Sequence, residues 1–303
     1  MSRILLTAVG SMAANPAARR YQALGHTVFG CDIYPREWTA LAGELEFFQA
    51  RLATEGEPYV EQLKEAVRRN GLDFLIPLTD PEVDALAPRK AEFRALGCTV
   101  CVPEERVAAL CRRKDTMNRF LAEKQVCALI PTEAAVSGQP CPFPFPAMVK
   151  PRSGRSSLGQ AVAADEKSYQ TALAGREDCI VQPFLEGDIF CVDVARDAFG
   201  HTRAAARQEL LRNKSGLGMT VEVLPGHPLE AVCAAIAEAV GLVGVVNMEF
   251  IRHGDDFFFL EVNPRFSGGV GFSMAAGMDF AEMMLCCHSC GSVEAFPAAP
   301  KHA

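Results

Sequence analysis

The sequence predicts an α/β protein whose first hundred residues form a small doubly wound domain. Short apolar runs alternate there with amphipathic segments of helical period, from the N-terminus to about residue 103. Apolar runs of this kind are typical of buried parallel strands, and helices cover both faces of such a sheet. The regular alternation therefore favours crossover connections and a parallel sheet.

Four strands are expected in this domain, with a helix after each of the first three. The strands are RILLTAV, HTVFGCDIYP, DFLIPLT and CTVCV, at residues 3–9, 26–35, 73–79 and 98–102. The helices fall within residues 10–25, 59–71 and 80–97. Asp80 is the expected N-cap of the third helix, because Pro81 follows it and suits a first helical position.

Asp32, at the end of the second strand, lies where dinucleotide-binding folds carry a ribose-binding acid. The turn after the first strand, however, reads GSMAANP and not GxGxxG. The glycines that allow a pyrophosphate to approach the backbone are therefore missing. Asp32 is expected to cap a loop and not to bind a nicotinamide cofactor.

A phosphate-binding loop is one interpretation of the next segment. Residues 103–126 predict a long helix broken near Lys114, and a proline-rich connector then leads into the strand AMVK, which ends at Lys150. The loop after it contains Gly154, Ser156, Ser157 and Gly159. Glycines and serines let backbone N–H groups converge on an anion, and a neighbouring lysine adds positive charge. A solvated hairpin loop is the alternative, since the P-loop pattern GxxxxGK[ST] is absent.

The stretch CIVQPFLEGDIFCVDVA places two strands on either side of residues 185–188. Gln182 and Leu185 lie at the end of an apolar strand, where a flat aromatic ligand can stack and bond to exposed backbone. A plain hairpin explains the same pattern.

The stretch VVNMEFIRHGDDFFFLEVNPR predicts a hairpin with acids on one face. If residues 254–256 form the turn, Glu249 falls opposite Glu261, with paired Cβ atoms about 5 Å apart. Two facing carboxylates repel each other unless a hard cation lies between them. Asn263 adds a neutral oxygen and Arg265 a cation on the same face, which together predict a magnesium–nucleotide site. A solvated polar face with a shifted register is the alternative.

Composition narrows the function classes. The net charge is −7, which argues against a nucleic-acid partner, and no apolar run approaches the roughly 18 residues of a membrane helix. Twelve cysteines without a secretion signal indicate free thiols in a reducing cytoplasm. Cys287, His288 and Cys290 could share a helix face as a metal or redox module, and buried apolar thiols are the alternative.

Taken in order, these motifs resemble the ATP-grasp superfamily, and most of all its branch related to the large subunit of carbamoyl-phosphate synthase. The likeness covers nearly the whole chain, and LEVNPR preceded by NMEF is its most specific part. It implies a pre-ATP-grasp α/β domain at residues 1–103 and an ATP-grasp domain at 104–303. The latter would comprise two α+β subdomains, at about 115–185 and 186–303.

The resemblance also implies roles for individual residues. Nucleotide phosphates would be reached by Lys114 and Lys150 and covered by the loop from Gly154 to Gly159, with Ser156 and Ser157. Adenine would be held by Gln182, Pro183, Phe184 and Leu185, and Mg²⁺ or Mn²⁺ by Glu249, Glu261 and Asn263. Lys150, Arg265 and Arg207 would act in the reaction, the last near an acyl phosphate. Two departures are Ser156 in place of a glycine and Ile189 in place of a ribose-binding glutamate, for which the adjacent Asp188 would substitute.

The expected function is that of an ADP-forming ligase, which activates a carboxylate as an acyl phosphate and joins it to an amine. Its substrates would be small molecules, amino acids among them, and a homodimer stays open. Two alternatives are an acyl-phosphate producer within a larger assembly and a nucleotide-binding regulatory subunit that does not turn over.

Overall fold

The structure, a computed structural model, describes residues 1–154, 158–214 and 216–301. Within these residues the strands form three sheets of five, four and six strands. Helices and parallel and antiparallel strands are combined, so the predicted α/β class is confirmed.

The first sheet is parallel and has the order β3-β2-β1-β4-β5. Its strands are β1 (Arg3–Leu6), β2 (Thr27–Asp32), β3 (Glu46–Gln49), β4 (Phe74–Ile76) and β5 (Thr99–Val100). The accompanying helices are α1 (Ala14–Ala23), α2 (Glu57–Asn70), α3 (Asp80–Leu86) and α4 (Lys90–Ala95). The doubly wound arrangement is as predicted, but β3 is additional. This strand is short and half-exposed at the sheet edge, so it lacks the apolar run that revealed the others.

The start of α3 differs from the prediction. Thr79, and not Asp80, is the N-cap, and Glu82 accepts hydrogen bonds from the Thr79 backbone N–H (3.0 Å) and hydroxyl (2.8 Å). Asp80 is therefore the first helical residue and Pro81 the second. Because Thr79 and Glu82 form the cap, the carboxylate of Asp80 is available for another partner.

The second sheet is antiparallel, with the order β7-β10-β8-β9. Two helices precede it, α5 (Glu105–Arg112) and α6 (Lys114–Lys124), and the break between them lies where the sequence predicted it. After α6 come the short strand β6 (Ala128–Leu129), which belongs to the third sheet, and the strands β7 (Glu133–Ala135), β8 (Ala147–Pro151) and β9 (Ala161–Ala163). The helix α7 (Glu166–Leu173) and the strand β10 (Cys179–Pro183) follow.

The third sheet, with the order β13-β12-β11-β14-β15-β6, is antiparallel apart from the parallel pair β15–β6. Its remaining strands are β11 (Asp188–Arg196), β12 (Thr202–Arg212), β13 (Gly218–Val223), β14 (Gly244–His253) and β15 (Asp256–Asn263). Three helices complete the chain, α8 (Pro228–Val240), α9 (Val270–Ala275) and α10 (Phe280–His288).

The first and third sheets are joined by one apolar core. Side chains of β1 and α1, such as Ile4 and Tyr21, pack in the same cluster as Ala195 of β11 and Phe280 of α10. The buried Tyr21 hydroxyl donates a hydrogen bond to the Ala281 carbonyl (2.9 Å). This contact fixes the loops of the first sheet over one end of the third, where the site described below lies.

Nowhere in the described ranges is a helix both long enough and apolar enough to cross a lipid bilayer.

Candidate active site

The predicted pairing of Glu249 with Glu261 is confirmed, although the turn differs from the one assumed. The loop has two residues, 254 and 255, so His253 pairs with Asp256. A β-bulge then inserts one extra residue, Leu260, between the pairs Phe250–Phe259 and Glu249–Glu261. The short turn and the bulge offset each other by one residue each, which restores the register of the two acids.

The bulge also changes which side chains face the site. Leu260 lines a cavity beside Glu261, whereas Phe259 is buried in the core. A bulge allows this because two successive residues of one strand face a single partner residue. One apolar side chain is thereby added to the cavity wall next to the acids.

The two carboxylates differ in their protonation. Burial, together with the charge of Glu261, raises the pKa of Glu249 to about 7. Burial also disfavours the charged form of Glu261, but Lys114 and Lys150 outweigh it and lower the pKa of that carboxyl. Lys114 Nζ lies 2.8 Å from Glu261 Oε2. Glu261 therefore stays ionised near neutral pH, whereas the repulsion between the two carboxylates favours the protonated form of Glu249.

The donor set suits a hard divalent cation. Two facing carboxylates, one of which holds a proton near neutral pH, gain from a cation that lets both ionise. The Asn263 amide nitrogen lies 3.2 Å from Glu249 Oε1 and 3.4 Å from Glu261 Oε1, and rotation of the amide presents its oxygen instead. The described residues contain no cluster of three or more His, Cys, Asp or Glu able to hold a metal. The cation would therefore take its other ligands from Asn263 and from bound phosphate oxygens.

The inner cavity, of about 260 Å³, lies between the second and third sheets. Its polar wall includes the side chains of Lys114, Lys150, Gln160, Arg212, Glu249 and Glu261, and Gly154 also lines it. Its far end is formed by Ile130, Met148, Gln182, Pro183, Phe184, Leu185, Ile189 and Ile251. A charged end and a flat apolar end in one cavity match the shape and polarity of a nucleotide.

Burial shifts the pKa of Lys150. It is 5% exposed on β8, and burial, together with the charge of Lys114, lowers its pKa to about 8. Lys114, at the first position of α6, is held by its bond to Glu261. Both ammonium groups thus lie on the charged wall of the inner cavity.

Some predicted nucleotide contacts are not brought to the inner cavity. The carboxylate of Asp188 pairs with Arg252 and does not line the cavity wall. Gly159 also lies off the wall, and its carbonyl accepts a hydrogen bond from Arg176 (2.7 Å). Ser156 and Ser157 lie outside the described residues.

The middle cavity, of about 390 Å³, adjoins the inner one and shares Gly216, Glu249 and Glu261 with it. The two predicted arginines, Arg207 and Arg265, line this cavity and not the inner one. Loop residues 10–13 of the first sheet and residues 266–269 close its other sides.

Each of these arginines is held by a buried aspartate that sequence reasoning missed. Arg265 donates two hydrogen bonds to Asp80, from Nε to Oδ1 and from Nη2 to Oδ2, both 2.9 Å. Burial disfavours the charged form of Asp80, yet Arg265 and Arg112 keep the pKa of that carboxyl below its usual value. The TDPE stretch drew attention to Asp80 in the sequence, but only as a helix cap and not as a partner of Arg265.

Arg207 is 1% exposed, and its Nη1 lies 2.5 Å from Asp193 Oδ2. Its two terminal nitrogens also donate to Ser273 Oγ (3.2 Å) and Ser267 Oγ (3.0 Å), while Nε has no hydrogen-bond partner among the described residues. Asp193 follows an apolar strand pattern, so nothing in the sequence alone distinguished it.

The cysteine hypothesis is not supported. The helix α10 ends at His288, so Cys287 lies within it and Cys290 beyond it in a left-handed conformation (φ 57°). Within the described ranges these residues form no metal-binding group, and burial raises the pKa of the Cys287 thiol to about 12. Cys287 packs in the core shared by the first and third sheets.

Comparison with known proteins agrees with this geometry. A family model described as "ATP-grasp in the biosynthetic pathway with Ter operon" matches residues 175–302. The chain is 26% identical over 287 residues to the formate-dependent phosphoribosylglycinamide formyltransferase of Solidesulfovibrio magneticus, covering 87% of this chain and 69% of that protein.

Two solved structures share the fold. One is the biotin carboxylase domain of 2-oxoglutarate carboxylase from Hydrogenobacter thermophilus, in complex with MgADP (TM-score 0.75, 15% identity, 95% of this chain and 70% of that one). The other is the L-amino acid ligase of Bacillus licheniformis (TM-score 0.72, 14% identity, 94% of this chain and 73% of that one).

The chain shares the fold of these two enzymes, and its residues 175–302 match an ATP-grasp family model.

Proposed function

We propose that the protein activates a small carboxylate as an acyl phosphate and joins it to an amine. The observation that carries this proposal is the order of the two cavities. The inner cavity has the shape and charge of a nucleotide site, and it meets the middle cavity at Glu249 and Glu261. Arg207 and Arg265 lie on the middle side of that junction, where they suit an anionic substrate beside the γ-phosphate.

The predicted residues that line the two cavities then have the following roles. Lys114 and Lys150 hold the nucleotide phosphates, and Gln182 to Leu185 hold the adenine. Glu249, Glu261 and Asn263 would hold Mg²⁺, which when bound would neutralise charge on the transferring phosphate. Arg207 and Arg265 orient the substrate carboxylate, and no protein nucleophile is required.

The proposed reaction takes place in two steps. A carboxylate oxygen attacks the γ-phosphorus of ATP, the bond to the β-phosphate oxygen breaks, and ADP leaves. The amine nitrogen then attacks the acyl carbon, the bond to phosphate breaks, and the amine loses a proton. Preorganised cations matter most in the first step, because negative charge gathers where they already point.

The relatives support this class of substrate. The Solidesulfovibrio enzyme is named for formate, a small carboxylate. The Bacillus ligase is named for L-amino acids, which carry both a carboxylate and an amine. We further propose that residues 1–103 form the pre-ATP-grasp domain and residues 104–303 the ATP-grasp domain, with subdomains at about 115–185 and 186–303.

A product screen tests the proposal. The purified protein is incubated with ATP, Mg²⁺ and pairs drawn from a panel of carboxylates and amines, and released phosphate, nucleotide and conjugate mass are recorded. We expect ADP, phosphate and an amide from at least one pair. ADP without any conjugate would favour an acyl-phosphate producer, AMP would contradict the mechanism, and no turnover would favour a regulatory subunit.

A further inference from the structure

A third cavity, the outer cavity, opens at the carboxyl edge of the first sheet. It has a volume of about 630 Å³ and is lined by residues that follow β1, β2, β3 and β4, among them Ser11, Asp32, Tyr34, Trp38, Leu52 and Thr79. In open parallel sheets, ligands bind at this edge where the strand order reverses. The order β3-β2-β1-β4-β5 reverses beside β1, at the floor of this cavity.

The wall of the outer cavity carries an exposed aromatic pair. The rings of Tyr34 and Trp38 are stacked, with centroids 5.7 Å apart and planes inclined by 28°. Tyr34 is 52% exposed and Trp38 75% exposed, and Ile33 and Leu52 beside them are also exposed. Large apolar side chains gathered in a concave site mark a ligand surface, and an open ring face stacks readily on a further ring.

The polar groups of the outer cavity do not favour a dinucleotide. The Asp32 carboxylate accepts hydrogen bonds from the backbone N–H groups of Gly10 (2.8 Å) and Tyr34 (3.0 Å), so it caps the loop, as the sequence predicted. It is 5% exposed, and each of its oxygens already accepts a backbone hydrogen bond, so it presents little surface to a ribose. The hydroxyl of Ser11, in contrast, is buried without a hydrogen-bond partner among the described residues.

The three cavities form a row. The middle and outer cavities share Gly10, Ser11 and Thr79, whereas the inner and outer cavities have no described lining residue in common. If nucleotide phosphates occupy the inner cavity and the substrate carboxylate the middle one, the amine must approach from the remaining side. That side is the outer cavity, and the Ser11 hydroxyl lies at its junction with the middle cavity.

We propose that the outer cavity binds the amine acceptor, and that Tyr34 and Trp38 stack on an aromatic ring carried by this amine. The proposal rests on the ligase function proposed above, because that function assigns the middle cavity to the carboxylate. Tyr34 and Trp38 thereby determine specificity and take no part in the chemistry.

Trp38 is the single tryptophan of the chain, so intrinsic fluorescence reports on this cavity directly. The probes are benzylamine, histamine and L-phenylalanine, and the matched controls are cyclohexylmethylamine and L-cyclohexylalanine, which have similar size without an aromatic ring. We expect at least one aromatic probe to change Trp38 fluorescence with saturation, about tenfold more tightly than its saturated counterpart. Equal binding of the two kinds, or no saturable change with any aromatic probe, would overturn the proposal.

Variants add a second readout. Trp38→Leu should raise the KM for the aromatic amine about tenfold and leave kcat and the KM for ATP within about twofold, while Trp38→Phe restores most of the affinity. Phe199→Leu is the matched control, since Phe199 is 65% exposed and lines none of the three cavities. A KM change for the carboxylate in place of the amine would contradict the assignment. So would conversion of a dimer to a monomer by Trp38→Leu, which would show that the rings bind a second copy of the chain.

The two proposals fail separately. The fluorescence titration needs no turnover, so selective binding of an aromatic amine without phosphate release would leave the aromatic site standing and refute the ligase function. Amide formation in which only non-aromatic amines serve would do the opposite.

Discussion

The inner and middle cavities meet at the same pair of glutamates, but they hold their cations in different ways. In the middle cavity Arg207 and Arg265 are fixed by the buried aspartates Asp193 and Asp80. In the inner cavity Lys114 is bonded to Glu261, which is itself a predicted metal ligand. Lys150 makes no ion pair within the part of the chain that the structure describes, and its pKa is lowered to about 8.

This difference indicates that the arginines and the lysines are prepared for ligand binding in two different ways. The arginines are oriented before any substrate arrives, because each is paired with a buried aspartate. Lys114 is placed to exchange partners, because a cation bound to Glu261 would free it for a phosphate, whereas Lys150 has no ion pair among the described residues to break. We therefore expect substitutions in the middle cavity to affect folding most, and substitutions in the inner cavity to affect catalysis and protonation.

The largest effect is expected for Asp80→Ala. It leaves the guanidinium of Arg265 without its bidentate partner, and breaking a buried ion pair from one side costs about 3–5 kcal/mol of the free energy of unfolding. Urea unfolding of the nucleotide-free protein measures this. Asp84→Ala is the control, because Asp84 pairs with Arg112 through a half-exposed carboxylate and should cost less than about 1 kcal/mol. Similar costs for the two variants would contradict the fixed-arginine account.

Glu261→Gln should lower kcat by about 10²–10³-fold, an effect of the size found when one preorganised charge-stabilising group is lost. The free energy of unfolding without nucleotide should also fall, since Lys114 and Lys150 lose the charge that compensates them. Glu238→Gln, at an exposed position of α8, is the control for the loss of one carboxylate outside the site. Near-normal activity at saturating Mg²⁺ would show that the metal assignment is wrong.

Glu249→Gln should stabilise the metal-free protein above pH 7. Folded Glu249 keeps its proton up to about pH 7, whereas the unfolded side chain loses it near 4.5, so the folded state binds more protons between these values. The free energy of unfolding of the wild type therefore falls as the pH rises through this window. The variant lacks this titrating carboxyl, so its free energy of unfolding should exceed that of the wild type by about 1–3 kcal/mol at pH 8. A difference that persists below pH 4.5 would point to another cause.

The smallest effect concerns Lys150. Bound phosphate favours its charged form, so nucleotide binding at pH 8 without Mg²⁺ should take up about half a proton at a group whose pKa starts near 8. Calorimetry in buffers of different ionisation enthalpy measures the uptake. Lys150→Arg keeps the charge but cannot titrate, so it should remove this uptake, and an unchanged value would contradict the role of Lys150.

Local patterns in the sequence were enough to predict the pair of acids at which the inner and middle cavities meet. Glu249, Glu261 and Asn263 lie within one hairpin, and period-two alternation brings them to one face. The agreement was partly fortuitous, because a two-residue turn and a bulge at Leu260 replaced the simple three-residue loop. Backbone irregularities of this kind leave little trace in composition.

The partners in the middle cavity could not be predicted in the same way. Asp80 and Arg265 are 185 residues apart in the chain, and they meet because α1 and α10 share a core that joins two sheets. Asp80 also fits the local pattern of a helix cap, so the local explanation hid the long-range one. The predicted role of Asp188 in ribose binding shows the same limit. Its carboxylate forms an ion pair with Arg252 of the neighbouring strand β14 instead.

Isotope transfer tests the acyl-phosphate mechanism most directly. A carboxylate substrate identified by the product screen is labelled with ¹⁸O in both carboxyl oxygens and incubated with ATP, Mg²⁺, the amine and the protein. Attack of the carboxylate on the γ-phosphate predicts one ¹⁸O atom in each molecule of released phosphate, with ADP as the nucleotide. Unlabelled phosphate, or label found in AMP, would contradict the mechanism.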